Sequence, residues 1–500
     1  MRTVTPLIAL IVSMLAGLAA CAEQQMKPDS LRLVPWPHRI IMSAGNTVLP
    51  AALPVKTGGD DPEAAGRVAK TLAGDLIELG FTPSSAKKGP KIVLSISPDK
   101  ALGPEGYRLR VTSDIRISAA TEKGLFWGTR TALQLAAKGP GATVPRLTIF
   151  DKPEYWYRGL LIDAARQFHS IDFHRQTIKR LAQYKVAFYQ VHFTDDQSWT
   201  LPSEKFPALP TPGRHYAKDE LKDLVKLAAQ YHVTIVPEIE MPGHSSVLCA
   251  AVPDVVCGGK PPRWMTCGGS EKSFAALTAL ITEAMDIFPG PYFHIGADEC
   301  DYALWDGCPD CTAAKAKEGL KDNEALYNRF VNHINSFIKS KGRKTIIWEG
   351  FKVGKEPLID KDILVHEWNN KEALPGDLMG AGYDIVNCSS GSLYVVVHWA
   401  TQAPTPEIMA EWNALYFGGG YPVKKLDQMT KVSPNPKLKG VGMCSWENEE
   451  RAEDSILFGI GNKVEDYADP APRVQIMAER AWTGASTSVE DLLKRVGVAK

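Results

Sequence analysis

Beyond about residue 151, short apolar runs alternate with longer segments of helical periodicity. Apolar runs bounded by polar residues are typical of buried parallel strands, and apolar spacings of three and four are typical of amphipathic helices. The predicted strands are Gly159–Ala164, Phe188–Phe193, Thr234–Ile239, Tyr292–Ala297, Thr345–Trp348, Ile363–Trp368, Asp384–Cys388 and Val441–Trp446. The predicted helices are Asp172–Tyr184, Lys218–Tyr231, Ser273–Ile287, Asn323–Lys341 and Pro472–Ala481. Eight strands in about 300 residues predict an α/β fold, a (β/α)8 TIM barrel over residues 151–485.

A different pattern precedes the barrel. The chain has 500 residues, which is enough for two domains. Between residues 31 and 150, strands that alternate apolar and polar positions mix with two helical segments. These elements are Ala65–Leu79, Lys91–Ile96, Tyr107–Val111, Ile115–Ala119 and Gly124–Ala137. We therefore expect a small N-terminal α+β domain, and we assign residues 486–500 as a C-terminal tail.

The first residues are typical of an export signal. Arg2 precedes an apolar stretch, Pro6–Ala20, that ends in Leu18-Ala19-Ala20-Cys21. Residues 1–21 resemble a bacterial lipoprotein signal, in which Cys21 is lipidated, and the polar residues 22–30 form a tether. We expect an exported, membrane-anchored lipoprotein of the periplasm or cell surface, with the lipid as its only membrane contact. An ordinary secretory signal or a membrane anchor is the alternative, although the stretch is short for a membrane span.

The overall charge argues against one class of partner. Lys plus Arg and Asp plus Glu each number 57, so the formal net charge is zero. The chain contains no long basic block, which argues against nucleic acid as a partner.

Polar and aromatic residues follow the predicted strands, where the active site of a TIM barrel forms. The fourth strand leads into Asp298-Glu299, with His294 just upstream. Two acids drawn into one cleft should split their pKa values, which gives the protonated and ionised pair that acid-catalysed hydrolysis needs. A solvated strand end is the alternative. Other residues at strand ends are Asp163, Arg166, His192, Asp195, Asp196, Glu238, Glu240, His244, Trp348, Trp368, Tyr394 and Trp446.

Four spaced motifs in order carry a family resemblance. They are Arg158-Gly159…Asp163…Arg166, His192-Phe193-Thr194-Asp195-Asp196, Pro237-Glu238…Pro242-Gly243-His244, and His294-Ile295-Gly296-Ala297-Asp298-Glu299. Nearly all of the chain after the signal resembles glycoside hydrolase family 20, the β-N-acetylhexosaminidases. The resemblance implies an exo-acting enzyme that removes terminal β-linked N-acetylhexosamine from a glycan by a retaining, substrate-assisted mechanism. It implies no cofactor and no metal.

The resemblance also assigns roles. Glu299 would be the general acid, and Asp298 would orient the substrate's 2-acetamido group, whose oxygen attacks the anomeric carbon. Tyr394 would donate a hydrogen bond to that oxygen. Asp195 and His244 would support Glu299, and the expected substrate-binding residues are Arg166, Trp348, Trp368, Trp446, His294 and Asn448.

Two positions depart from the family pattern. The family has Tyr-Leu-Asp or Tyr-Leu-Asn where this chain has Tyr394-Val395-Val396, and Trp-x-Glu where this chain has Trp446-Glu447-Asn448. Both missing groups would bind the outer hydroxyls of the sugar. We therefore expect relaxed selection at its 4-position, with His398 as a candidate replacement contact. Gln167, where many members have His, is a smaller change.

Three alternatives stay open. A family member can release a disaccharide in the manner of a lacto-N-biosidase. A metal-dependent barrel hydrolase could use His192, His244 and His294 as ligands. A surface lipoprotein could bind glycans without cleaving them.

The cysteines suggest cross-links. Export permits disulfides. Cys308-Pro-Asp-Cys311 has the spacing of zinc ligands, but no convincing second pair is evident, so a disulfide is the preferred interpretation. We expect one disulfide among Cys300, Cys308 and Cys311. A second is expected among Cys249, Cys257 and Cys267.

Overall fold

The computed structural model describes residues 31–86, 88–259, 264–396, 404–418, 423–446 and 470–498. The predicted signal, Cys21 and the tether lie outside these ranges. Within them, every helix is too short or too polar to cross a membrane.

The N-terminal domain is a six-stranded mixed sheet with two helices. Its strands are β1 (Arg39–Val48), β2 (Val55–Gly59), β3 (Ile92–Ile96), β4 (Tyr107–Val111), β5 (Ile115–Ala119) and β6 (Thr143–Asp151), in the spatial order β1-β6-β4-β5-β3-β2. The helices are α1 (Pro62–Glu78) and α2 (Glu122–Leu135). Asp61 and Thr121 cap them by accepting hydrogen bonds from the backbone N–H groups of Ala64 and Gly124. Burial alternates along β3, β4 and β5, so one face of the sheet is covered and the other is more exposed.

Eight parallel strands then close into a barrel. They are β7 (Tyr157–Asp163), β8 (Phe188–His192), β9 (Thr234–Glu238), β10 (Tyr292–His294), β11 (Lys344–Trp348), β12 (Leu364–Glu367), β13 (Asp384–Asn387) and β17 (Leu438–Trp446), and β17 pairs with both β13 and β7. β14 (Tyr394–Val396) adds in parallel to the end of β17, and β15 (Tyr416–Phe417) pairs with β16 (Thr430–Lys431). Every residue of β7 and β8 is buried, as expected where helices cover the outside and side chains fill the interior.

Helices cover the barrel. They are α3 (Ile171–Gln183), α4 (Lys218–Gln230), α5 (Ser246–Ala251), α6 (Glu271–Ile287), α7 (Pro309–Glu318), α8 (Asn323–Ser340), α9 (Pro375–Gly380), α10 (Ser390–Leu393), α11 (Pro406–Glu411), α12 (Pro470–Thr483) and α13 (Val489–Val496). Short 3-10 turns occur at Pro253–Val255, Cys257–Gly259, Tyr302–Trp305 and Leu426–Gln428. The predicted TIM barrel with a preceding α+β domain is confirmed.

Residues 486–500, assigned as a C-terminal tail, are partly helical and pack against the rest of the chain. They contain α13, which Ser488 caps by accepting a hydrogen bond from the Asp491 N–H. Arg495 is buried and lies 2.7 Å from Glu479. It also donates a 2.7 Å hydrogen bond to the Leu33 carbonyl. A buried, paired arginine fixes this helix against both α12 and the N-terminal segment.

The two predicted disulfides are wrong. No disulfide links the cysteines that the structure describes. The thiol of Cys300 points to the carbonyl of Asp298, 3.3 Å away. Cys257, Cys267, Cys308 and Cys311 instead lie close together, with the nearest sulfurs 3.6 Å apart, too far for a covalent bond.

Asp151, at the end of β6, connects the two domains. Its carboxylate is fully buried and accepts hydrogen bonds from Tyr107 of the sheet (2.6 Å) and Trp482 of α12 (2.8 Å). Lys185, equally buried, lies 3.1 Å from it. Burial would raise the pKa of Asp151, but Lys185 and the hydrogen bonds outweigh it and lower that pKa. The domain interface therefore contains a fully desolvated ion pair.

We expect Asp151→Ala to lower the free energy of unfolding by about 3–5 kcal/mol, because it leaves Lys185 buried without its counter-charge. Adding Lys185→Met should restore much of the loss. Asp172→Ala, which removes an exposed carboxylate paired with Arg175, is the matched control and should have little effect. Urea unfolding measures all four proteins. A loss at Asp151 no larger than at Asp172 would contradict this account.

Candidate active site

The turn after β10 presents Asp298 and Glu299. Gly296, Ala297 and Glu299 all have left-handed backbone angles, with φ of 65°, 75° and 46°. Such angles are unfavourable for residues with a side chain and are typical of functional sites. The apolar run predicted a strand that extends to Ala297. These angles explain why β10 ends at His294 instead. A Cβ on Gly296 would lie 1.7 Å from the Glu240 carboxylate, so only glycine fits there.

A chain of ion pairs leads to Glu299 from three other strand ends. Asp163 lies 2.8 Å from Arg166, and the second terminal nitrogen of Arg166 lies 2.6 Å from Asp195. Asp195 Oδ1 lies 3.4 Å from His244 Nδ1, and His244 Nε2 lies 3.3 Å from Glu299 Oε2. His244 thus contacts both Asp195 and Glu299, the residues that the resemblance groups with it.

These contacts set the charges. Burial would lower the pKa of His244, but the carboxylates of Asp195 and Glu299 outweigh it and raise the pKa to about 12. Burial would raise the pKa of Asp195, but hydrogen bonds from His192 and His244 hold it well below its usual range. The hydrogen bond from His244 also lowers the pKa of Glu299. At neutral pH an imidazolium therefore lies between two carboxylates.

Asp298 has the opposite environment. Burial raises its pKa to about 6, despite the nearby His244. Its Oδ1 is buried and has no hydrogen-bond partner among the described residues. The pKa values of the two acids therefore differ, as predicted, but in the opposite sense to the one that a general-acid role for Glu299 implies, since Glu299 is the more acidic group. The reason is that Glu299, whose side chain is 49% exposed, has a cationic partner, whereas no donor among the described residues satisfies this oxygen of Asp298.

A buried network supports the floor of the site. Glu238 accepts a 2.6 Å hydrogen bond from the Trp348 indole and another of 2.8 Å from Gln190. Its oxygens also lie 3.3 Å from His192 and 3.3 Å from His294. His294, predicted as a substrate-binding residue, is fully buried in this network. It packs against Trp348 and helps to fix that ring.

The four predicted aromatic residues converge. Trp446 lies 5.9 Å from Trp348 and 6.0 Å from Tyr394, and Trp368 stacks on Tyr394 at 6.2 Å. The Arg166 guanidinium lies 5.3 Å from the Trp446 ring. Trp348 is almost wholly buried at the base, while Trp368 and Trp446 are half-buried. Asn448 and His398 lie outside the described residues.

A groove beside Glu299 contains residues that sequence reasoning missed. Its volume is about 230 Å³, and it is lined by Trp264, Glu299, Cys300, Asp301, Tyr302, Glu349, Gly350, Trp368, Asn369, Lys371 and Glu372. Burial raises the pKa of Glu349 to about 7. The position of Glu349 directly after Trp348, at a strand end, was a usable signal. Trp264 lies in a loop without periodicity, and nothing in the sequence singles it out.

The carboxyl end of the closed barrel thus has two acids, the chain of ion pairs and a wall of aromatic rings. This is the kind of site that a glycoside hydrolase has. Residues 155–485 match the catalytic domain of glycosyl hydrolase family 20, and residues 30–152 match domain 2 of the same family. The chain belongs to glycosyl hydrolase family 20.

Individual relatives agree. The chain is 28% identical to a beta-hexosaminidase of Porphyromonas gingivalis, with 94% of this chain and 63% of that protein covered. It therefore spans under two thirds of that relative's length. It is 29% identical to a beta-N-acetylhexosaminidase of Cellulomonas fimi, with 91% and 90% covered. The crystal structure of a Flavobacterium johnsoniae chitobiase superposes with a TM-score of 0.76 at 26% identity, covering 95% of this chain and 72% of that one.

Gly296→Ala should destabilise the protein more than backbone strain alone explains, because the new methyl group meets the buried Glu240 carboxylate. Gly307→Ala is the matched control: its φ is 69°, but no atom lies within 4 Å of the added Cβ. We expect a loss of about 1–2 kcal/mol at Gly307 and about 1–3 kcal/mol more at Gly296, measured by urea unfolding. Equal losses would show that the contact with Glu240 is unimportant.

Proposed function

We propose that the protein is an exo-acting β-N-acetylhexosaminidase that hydrolyses terminal β-linked N-acetylhexosamine with retention and substrate assistance. The observation that carries the proposal is the buried Asp298 Oδ1, which has no hydrogen-bond partner in the described part of the chain. It lies beside Glu299, at which the chain of ion pairs ends. A buried acceptor of this kind needs a donor, and the N–H of a 2-acetamido group is one. The names and similarity of the relatives support the same activity.

The first step uses both acids. Asp298 accepts a hydrogen bond from the acetamido N–H, so the acetamido oxygen is directed at the anomeric carbon. A bond forms between that oxygen and the anomeric carbon while the glycosidic bond breaks. Glu299 gives its proton to the leaving oxygen. In the second step Glu299 takes a proton from water, whose oxygen replaces the acetamido oxygen at the anomeric carbon.

The ion-pair chain suits this cycle. When Glu299 gives up its proton it becomes a carboxylate facing His244, whose positive charge stabilises it. Arg166 and Asp195 hold that imidazole in place. A bound sugar would shield Glu299 from water and so raise its pKa, which favours the protonated form needed before the first step. The charges around Glu299 before substrate binds therefore favour its carboxylate form, which is the form it has after it gives up its proton.

A metal-dependent reaction is less well supported at this site. His192 faces Asp195 with one ring nitrogen and Glu238 with the other. His244 likewise faces Asp195 and Glu299. Burial would lower the pKa of both imidazoles, but the facing carboxylates outweigh it and raise the pKa to about 10 for His192 and to about 12 for His244. An imidazolium has no lone pair with which to bind a metal. Activity that survives prolonged chelation would support the proposal, and its loss with recovery on adding metal would overturn it.

For location we propose an exported lipoprotein anchored through lipid on Cys21, which lies outside the described residues. The Leu18-Ala19-Ala20-Cys21 sequence supports this. Incorporation of labelled fatty acid that is lost in Cys21→Ser is the test.

Glu299→Gln should reduce hydrolysis of substrates with poor leaving groups by about 10²- to 10⁴-fold, because the proton donor is lost. Aryl glycosides with good leaving groups need little protonation and should lose much less. The comparison uses kcat/KM for chitobiose and for a dinitrophenyl N-acetylglucosaminide, with Glu318→Gln, a carboxylate paired with Arg329, as the control. Equal losses for both substrates would argue against Glu299 as the acid.

Binding of N-acetylglucosamine should depend on the ionisation of Asp298. Its pKa is raised to about 6, so the carboxylate that accepts the acetamido N–H is fully present only above that pH. Affinity should be constant near pH 8 and should fall as pH drops through about 6, approaching tenfold per pH unit below it. Calorimetric titration measures this. Asp298→Asn should bind weakly without the pH step; a step that persists in the variant would assign it to another group.

N-acetylglucosaminides and N-acetylgalactosaminides should be cleaved with kcat/KM values within about tenfold of each other. Val396 is aligned with Trp446 in the sheet and cannot bond to a hydroxyl. A hydrogen bond to a charged group contributes about 1.5–3 kcal/mol, so Val396→Asp should increase the discrimination. A panel that includes lacto-N-biosides tests this and also detects disaccharide release. A preference above a hundredfold, unchanged in His398→Ala, would contradict the prediction.

A further inference from the structure

Four cysteines form a cluster that shares no residue with the proposed reaction centre. Cys257 and Cys267 lie in the segment between β9 and α6, and Cys308 and Cys311 lie at the start of α7. All four side chains are at least nine-tenths buried. Their sulfurs all lie within 4.8 Å of one another.

The distances between the sulfurs fit coordination of a metal ion and do not fit a disulfide. Cys267 lies 3.6 Å from Cys311 and 3.7 Å from Cys308, and Cys257 lies 3.8 Å from Cys311. Four thiolates at about 2.3 Å from a tetrahedral zinc ion are about 3.8 Å apart, whereas the sulfurs of a disulfide are about 2.05 Å apart.

The surrounding backbone is shaped to bring the two segments together. A Cβ on Gly269 would lie 2.5 Å from the Asp310 carbonyl, so only glycine permits this approach. The Trp305 indole donates a 2.8 Å hydrogen bond to the Thr266 carbonyl. The backbone N–H of Gly269 also interacts with the sulfur of Cys267, as donors do around metal-bound thiolates. Cys308 and Cys311, three residues apart at a helix start, face the same side.

We propose that Cys257, Cys267, Cys308 and Cys311 bind one structural Zn²⁺ ion as a tetrathiolate site. Binding replaces four S–H protons with four zinc–sulfur bonds and releases those protons to solvent. All four positions are protein ligands, so the ion has no open position for catalysis. This inference does not rest on the proposed function.

The site has a structural consequence for the groove beside Glu299. Trp264 lies between Cys257 and Cys267, and Tyr302 lies shortly before Cys308; both line that groove. The ion joins the segment that carries Trp264 to the segment that follows the acid pair. It therefore fixes one wall of the groove relative to Glu299.

The first experiment is elemental analysis of the full-length protein, purified without metal-affinity resin. We expect one zinc per chain, and mass mapping without reductant should find all four cysteines as thiols. A chain without zinc in which these four form two disulfides, four hydrogens lighter, would overturn the proposal. Stoichiometric iron with visible absorption would overturn the assignment of zinc.

The second experiment uses variants. Cys308→Ser and Cys311→Ser should reduce zinc to well below one per chain and lower the midpoint of thermal unfolding. Cys249→Ala, a buried cysteine outside the cluster, is the matched control and should keep its zinc. Full zinc in Cys308→Ser would overturn the proposal. If the serine variants do not fold, the zinc content of the unmodified protein decides.

Discussion

Asp195 is the group on which the organisation of the site depends. Its buried carboxylate lies within 2.6 Å of Arg166, 2.8 Å of His192 and 3.4 Å of His244. A buried anion is tolerable only when several donors satisfy it, and here those donors come from three different strand ends. Closing the barrel brings them together. The charge of Asp195 then sets the charge of His244, which in turn determines the acidity of Glu299.

The domain interface also contains buried carboxylates that need several donors. Asp151 with Lys185, and Glu479 with Arg495, are ion pairs removed from water, and each has further hydrogen bonds. Such pairs contribute little net stability compared with apolar packing, but they penalise any other arrangement. They therefore act as determinants of how the N-terminal sheet is placed against the barrel. The active site, at the carboxyl ends of the strands, does not use them.

The architecture and most of the site could be predicted from the sequence, because both depend on local patterns. Buried parallel strands are continuous apolar runs, and the functional groups of a TIM barrel follow them. The predictions that were wrong concern features that depend on the three-dimensional arrangement of the chain. The sense of the pKa split depends on which acid His244 contacts. The end of β10 depends on the backbone angle at Ala297. The cysteine cluster joins pairs that are more than 40 residues apart, as with Cys267 and Cys308.

The contact between Arg495 and the Leu33 carbonyl joins residues 462 positions apart. Trp36 is held in the same way, since its backbone N–H donates a hydrogen bond to the Glu479 carboxylate. The N-terminal segment thus lacks both of these partners while the chain is being synthesised, until α12 and α13 emerge. A product interrupted before these helices would leave Trp36 and the surface that covers it exposed to chaperones and proteases. The fold thereby couples protection from degradation to completion of the barrel.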